Sequence, residues 1–262
     1  MITYLWIVCP VLIYQLHPHF RGYKKSADDS GSFTTNKRSF LYKTMKFTVI
    51  LLALVGFTAA AEPAVKPVKI SLYYESLCPD SRAFVLTQLA PTYEKLAAHL
   101  TLDLVPFGNV NVTHASNSST PRFACQHGPA ECYGNIAEAC VIAHQPPAAA
   151  LSFVQCMFLG VHRSVDSWKD THFNAEACAN LLFSNWGSTD LKKCIDGPEG
   201  EKLIEANWKK TEALKPKHTG VPWILVNEAV HTPEMQRQAQ FSLKDYLCKE
   251  HFSKANLLEC MA

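Results

Sequence analysis

The sequence predicts an α/β fold that carries a long helical segment stapled by cysteines. Three patterns predict it. First, an alternating apolar run, a Cys-Pro turn, a helical periodicity and a second apolar run follow one another between Val68 and Pro106, the order of a βαβ unit. Second, cysteines, alanines and aromatics recur at helix-like spacing from Cys125 to about Lys215. Third, Val221-Pro222 is followed by the apolar run Trp223 to Val226, which returns the chain to a strand.

The chain has 262 residues, 48% apolar and 18% charged, a balance that fits a packed core and excludes a disordered or collagen-like chain. Residues 43–61 have a basic start, an 11-residue apolar run from Phe47 to Phe57 and the small residues Ala59-Ala60-Ala61, the layout of a secretory signal peptide beginning at about Met45. The run is too short for a membrane span, which needs ~20 apolar residues. Residues 1–44 read either as an upstream extension of the reading frame or, through Met1–Leu16, as a targeting segment of their own. The leader 1–61 is therefore expected to be removed, leaving 62–262 as a single domain with no membrane span. Seven of the 25 Lys/Arg and two of the 23 Asp/Glu lie in residues 1–61, which leaves 18 against 21, a net charge of −3. No basic cluster interleaved with aromatics remains, so a nucleic-acid partner is not expected.

Within the domain, Val68 to Tyr74 alternates as a strand. Pro79 suits the first position of a helix, where its missing N–H costs nothing. Val85, Leu89, Tyr93, Leu96 and Leu100 continue at helical spacing, with a kink expected at Pro91. Leu102 to Pro106 reads as the second strand. A helical insertion is expected over about 125–215, then a strand, an Asn227-Glu228 turn and a short strand to His231, and a last helix from about Ser242 to His251.

Nine cysteines follow the leader, and in an oxidising compartment disulfides are their default. Nine is odd, and Cys78 stands 47 residues ahead of the next cysteine. The economical reading is four structural disulfides among Cys125, Cys132, Cys140, Cys156, Cys178, Cys194, Cys248 and Cys260, with Cys78 left over. Eight cysteines permit 105 pairings, and spacing does not choose among them. The sequons at Asn111 and Asn117 lie in a polar stretch and are expected to carry glycans.

Cys78 at a helix N-terminus sits where unpaired N–H groups and the helix dipole favour a thiolate, the nucleophilic form. Ser81, three residues on, can donate a hydrogen bond to that sulfur, while the Asp80 carboxylate opposes the charge. Pro222, ahead of a distant strand, has the look of a cis-prolyl loop facing a redox cysteine. Taken singly, Cys78 also reads as an ordinary structural cysteine and Pro222 as a trans proline opening an edge strand.

Cys125-Gln-His-Gly-Pro-Ala-Glu-Cys132-Tyr-Gly-Asn135-Ile-Ala-Glu-Ala-Cys140 resembles the sixteen-residue signature C-Q-H-G-x-x-E-C-x-x-N-x-x-x-x-C of the gamma-interferon-inducible lysosomal thiol reductase family. The resemblance runs from Tyr73 through that signature to Asn227. It implies a thioredoxin-like fold with a disulfide-rich helical insertion, residence in the secretory pathway (secreted or lysosomal), and reduction of protein disulfides. The family's redox motif is C-x-x-C, whereas this chain has Cys78-Pro79-Asp80-Ser81. Cys78 can still attack a disulfide, but the second thiol that would release the product is missing.

The resulting expectation is a thiol–disulfide oxidoreductase with Cys78 as nucleophile, Ser81 as hydrogen-bond donor and Pro222 as backbone platform. It would need no resident cofactor, and a small thiol such as cysteine or glutathione would act as reductant. Partners would be disulfide-bonded proteins, with the chain a monomer or a Cys78-linked dimer. The alternative is a non-catalytic secreted glycoprotein of the same fold that binds a partner. Within the signature, Cys125, His127 and Cys132 match no usual zinc spacing, so no metal is expected. His127 and Glu131 read either as an acid–base pair or as polar groups fixing a turn.

Overall fold

The computed structural model describes residues 65–114, 121–160, 162–164, 167–172, 174–229, 232–255 and 257–261. The leader, Asn117 and His231 lie outside them. Residues 62–262 group into one unit.

The core is a three-stranded sheet in the order β2-β1-β7, made of β1 (Val68–Tyr74), β2 (Leu100–Pro106) and β7 (Trp223–Val226). β1 runs parallel to β2, from Val68 opposite Leu100 to Tyr74 opposite Pro106, and antiparallel to β7, with Tyr73 opposite Trp223. As the central strand β1 is covered on both faces. Ile70, Leu72 and Tyr74 enter the main core, while Tyr73 joins Val105 and Leu214 on the other side. The register brings three chain segments to one edge: the turn after Tyr74, the loop after Pro106 and the segment before Trp223. Such an edge, outside the carboxyl ends of parallel strands, is where open α/β sheets place their sites.

Between β1 and β2 the chain forms α1 (Pro79–Phe84), a π-helical segment (Val85–Leu89), α2 (Ala90–Leu96) and a 3₁₀ turn at Ala97–His99. The kink expected at Pro91 is taken up by that π-helical segment. Ala90 N–H bonds Val85 C=O, one residue wider than the α pattern. The wider turn just ahead of Pro91 accommodates the N–H and the space that its ring removes.

The segment expected to be helical over 125–215 is only partly so. A hairpin of β3 (Asn111–His114) and β4 (Pro121–Ala124) precedes it. The helices α3 (Pro129–His144), α4 (Pro147–Leu159), α5 (Ala175–Leu182), α6 (Ser188–Ile195) and α7 (Pro198–Glu212) are interrupted by a second pair, β5 (His162–Ser164) and β6 (Ser167–His172). Four disulfides staple the chain: Cys125–Cys132 across the entry to α3, Cys140–Cys194 from α3 to α6, Cys156–Cys178 from α4 to α5, and Cys248–Cys260 near the C-terminus. Cys140, Cys178 and Cys194 lie in a second apolar core with Val141, Phe153 and Leu191.

After β7, Asn227 and Glu228 turn with φ of 52° and 60°, and the short strand expected beyond them amounts among the described residues to a single bridge, Val226 to Ala229. Two consecutive positive φ values are the mark of a tight hairpin turn. The helix expected at 242–251 is α9 (Leu243–Glu250). Two helices escaped the sequence reading, α8 (Pro233–Phe241) and α10 (Leu258–Met261). From α8, the Gln236 amide accepts from Ile224 N–H and donates to Ile224 C=O, closing the outer edge of β7.

The cross-links differ in the loops they close, with separations of 54 residues for Cys140–Cys194 and 7 for Cys125–Cys132. In the chain-entropy view, replacing Cys140 and Cys194 by Ala costs about 4 kcal/mol and replacing Cys125 and Cys132 about 2 kcal/mol. Thermal melts of the two double variants are therefore expected to separate clearly, with the Cys140/Cys194 variant melting lower.

Candidate functional site

At the sheet edge, Cys78 is the residue before α1, in extended conformation, with Pro79 in the first turn. Its main chain is fixed on both sides: its N–H donates to Glu75 C=O at 3.3 Å, and its C=O accepts from Arg82 N–H at 3.0 Å. The thiol is 7% exposed and is the one free cysteine among the described residues. Its Sγ lies 3.7 Å from the carbonyl oxygen of Val221, whose peptide bond to Pro222 is cis. Cys78 and Pro222, 144 positions apart in sequence, thus meet across the end of the sheet.

Ser81 is fully buried one turn into the helical run. Its Oγ accepts from Glu75 N–H at 3.5 Å, and no Ser81–Cys78 hydrogen bond occurs among the described residues. The hydroxyl expected to face the sulfur is directed instead at the main chain of the turn. The other glycosylation candidate within reach, Asn111, lies exposed on β3.

The turn before Cys78 is held from α3, the helix formed by the signature. Ser76 N–H donates to Asn135 Oδ1 at 2.9 Å, and Ser76 Oγ donates to the Glu131 main-chain oxygen at 3.1 Å. At the helix entry Gly128 has φ of 88°, a conformation that favours glycine. There Glu131 holds His127 at two points: Oε1 accepts from the His127 N–H at 3.1 Å and Oε2 lies 2.5 Å from Nδ1. His127 and Glu131 therefore fix the turn that Cys125–Cys132 closes.

Glu75 completes the group. Its Oε1 accepts from Asn109 N–H at 2.6 Å and its Oε2 lies 3.5 Å from His127 Nδ1. Asn109 reaches this position because Gly108 turns with φ of 64°. A Cβ at Gly108 would stand 2.3 Å from Glu75 Cγ, so only glycine fits beneath that side chain. The side chain of Asn109 donates to Gln126 Oε1 at 2.9 Å and meets His218 Nε2 at 3.2 Å, which links the turn, the signature loop and the segment leading to Pro222.

Donor atoms of Glu75, His127 and Glu131 lie within 4.8 Å of one another. Two donors of a tetrahedral ion, each ~2.1 Å from it, stand about 3.4 Å apart. The 2.5 Å His127–Glu131 contact is too short for that, and the cluster is arranged to share protons. Three fully buried carboxyl groups, Glu75, Glu131 and Glu138, accumulate here. Burial, then the neighbouring Glu131, pushes Glu75 up to about 7 against the pull of Asn109 and His127. Burial pushes Glu138 up to about 8. A favourable interaction with the Tyr74 hydroxyl opposes this shift, and the charge of Glu131 adds to it. Among the described residues neither Glu138 oxygen nor the Tyr74 hydroxyl makes a hydrogen bond of good geometry.

Sequence reasoning singled out Cys78, Ser81, Pro222, His127 and Glu131 but gave no role to Glu75, Asn109, Asn135 or Glu138, the last two of which stand within the signature. The spacing of Glu131, Asn135 and Glu138, at i, i+4 and i+7, was the available signal, since it puts all three on one helical face.

Glu75 and Glu138 ionise in the folded chain above their ordinary 4.5. Their contribution to stability is therefore complete below pH 4.5 and is lost as pH rises through about 7 and 8, where folding must place charge in a dry site. Thermal melts are expected to fall by several degrees between about pH 5 and pH 9, and Glu138→Gln is expected to flatten that fall.

Comparison with known proteins agrees with this architecture. The family described as gamma interferon inducible lysosomal thiol reductase matches residues 69–182. The chain is 39% identical over 182 residues to the gamma-interferon-inducible lysosomal thiol reductase of Carassius auratus, spanning 70% of this chain and 68% of that one. It is 34% identical over 166 residues to the protein of the same name from Mus musculus, 63% of each chain. Among solved structures, oxidised BdbD from Bacillus subtilis superposes with a TM-score of 0.50 at 14% identity, over 76% of this chain and 91% of that one. The likeness shows a thioredoxin-like fold of the DsbA type.

Proposed function

The chain belongs to the gamma-interferon-inducible lysosomal thiol reductase family, and from that premise we propose that it is a thiol–disulfide oxidoreductase of the secretory pathway, secreted or lysosomal, acting on protein disulfides through Cys78 alone. The observation that carries this reading is the single free thiol at the start of α1, 3.7 Å from the carbonyl that precedes cis-Pro222. The Val221–Pro222 main chain is the backbone that lies beside that sulfur. A substrate strand laid along that main chain would bring its own disulfide to Cys78.

The chemistry divides into three exchanges. The Cys78 thiolate attacks one sulfur of a substrate disulfide, forms a mixed disulfide and expels the other sulfur as a thiolate, which takes up a proton. In a C-x-x-C site the second cysteine would then displace the substrate. Ser81 occupies that position and has no sulfur to offer. The mixed disulfide is therefore resolved by a small thiol such as cysteine or glutathione, and a further molecule of that thiol returns Cys78 to its reduced form. The net change is one substrate disulfide reduced and one small-molecule disulfide formed. Ser81 contributes through the turn, by accepting from Glu75 N–H, and Pro222 contributes the fixed backbone opposite the sulfur.

Two variants test the reading with a disulfide-bonded protein as substrate and a titrated small thiol as reductant. Cys78→Ser is expected to bring the rate down to that of the small thiol alone. Ser81→Cys is expected to make single-turnover reduction independent of small-thiol concentration. A Cys78→Ser chain that reduces as fast as the parent would overturn the proposal and leave a disulfide-stapled binding protein as the better reading.

A further inference from the structure

A mechanism without a second cysteine depends on how the outside thiol is brought to the mixed disulfide, and the wall of the fold that carries Val221 and Pro222 also borders a cavity of about 510 Å³. Its volume lies in the range of small-ligand sites. Its charged lining is uneven: Lys217 and Arg237 supply two cations and Asp80, two positions after Cys78, supplies one anion, with Trp223 as an apolar surface. Nothing stands within 4 Å of a Cβ built on Gly220, so the main chain leading to Pro222 is open. Lys217 pairs with Glu212 and Arg237 with Glu234, but all four side chains are more than half exposed. Such pairs hold their partners weakly and leave both cations able to take a further anion. The cavity on the other flank of α1, about 330 Å³, offers a single cation, Arg82, whose Nε is committed to the Phe158 carbonyl at 3.0 Å.

We propose that the cavity between Asp80, Lys217 and Arg237 is a reductant subsite that takes a small thiol bearing carboxylates, of the glutathione class. The proposal rests on the reading of Cys78 given above. Glutathione carries two carboxylates and one ammonium group, the complement of two cations and one anion, with its thiol on the middle residue. Bound with the carboxylates toward Lys217 and Arg237 and the ammonium toward Asp80, it presents that thiol toward the wall shared with Cys78. Its thiolate attacks Cys78 Sγ of the mixed disulfide; the bond from Cys78 to substrate breaks, the substrate sulfur leaves as a thiolate and takes a proton, and a Cys78–glutathione disulfide forms. A second glutathione attacks the glutathione sulfur of that disulfide, giving oxidised glutathione and the free Cys78 thiolate. Charge on the ligand, rather than thiol reactivity alone, then decides which reductant this chain uses.

The test isolates the resolving step. The full secreted chain is treated with dithiobisnitrobenzoate to place thionitrobenzoate on Cys78, and its coloured release is followed against glutathione or against the uncharged thiol mercaptoethanol. Release by glutathione is expected to saturate, and release by mercaptoethanol to rise linearly. In the double variant Lys217→Gln/Arg237→Gln the half-saturating glutathione concentration is expected to rise roughly tenfold, while mercaptoethanol release stays within about twofold, with melts confirming the fold. High salt is expected to act on the parent as the substitutions do. Linear release by glutathione, or equal slowing of both thiols in the variant, would overturn the subsite while leaving Cys78 as nucleophile. Failure to form an adduct at Cys78 at all would overturn the parent reading and the subsite with it.

Discussion

The four-residue turn from Glu75 to Cys78 is the constraint on which the site depends. It leaves the end of β1, the central strand of the three-stranded sheet, and Glu75, Ser76 and Leu77 are almost wholly inaccessible. Buried polar groups must find partners. The turn finds them in elements distant in sequence: Asn135 and Glu131 of α3 for Ser76, Asn109 for Glu75, and the Val221 carbonyl for the thiol. Each partner sits on a segment that the sheet register brings to the same edge. The βαβ unit, the signature helix and the cis-prolyl segment are therefore one assembly, and a thiol placed at the end of that turn has little freedom to move relative to Pro222.

The same assembly explains what the sixteen-residue signature does. Its cysteines close a loop and join α3 to α6, and its polar members work inward. His127 and Glu131 pair at the helix entry, Asn135 clamps the turn and Glu138 lies beneath Tyr74. Among the described residues Asn135 reaches the turn that carries the sulfur through Ser76 N–H, and His127 and Glu131 pair with each other. The signature serves the thiol by supplying the wall against which its turn is built. Concentrating three carboxyl groups in that wall makes neutral pH the costly condition, because a buried carboxylate is disfavoured by desolvation and by each like charge beside it.

Much of the fold was legible in the sequence where one local signal sufficed. Alternation gave β1 to the residue, Pro79 marked the start of α1, and the apolar run after Pro222 marked β7. The elements that were missed lack such a signal. The short β pairs within and before the helical segment have three to six residues per strand and are defined by pairing rather than by periodicity. Pro91 announced a disturbance but not its form, since whether a helix bends or widens to a π turn is settled by what packs around it. At the site, cysteine arithmetic could count but not pair. Glu75 and Asn109 were invisible because their roles come from three chain segments meeting, with Gly108 leaving the only room in which the Glu75 side chain fits.

Position 81 is where sequence and structure together say most. A cysteine there would sit one turn below Cys78, buried, and able to complete the exchange inside the protein. Serine is buried at this position and accepts from Glu75 N–H, so the turn is held without a second thiol. Around the site stand the cis peptide, the clamp from α3 and the closed outer edge of β7. A scaffold this complete around a single sulfur places the burden of turnover on whatever thiol can approach it. On the proposed reading the approach lies along the wall where the main chain before Pro222 is open and Lys217 and Arg237 line the cavity. Under that proposal, selection among reductants would fall to the surface of that wall, while selection among substrates would fall to the strand that can lie against Val221 and Pro222.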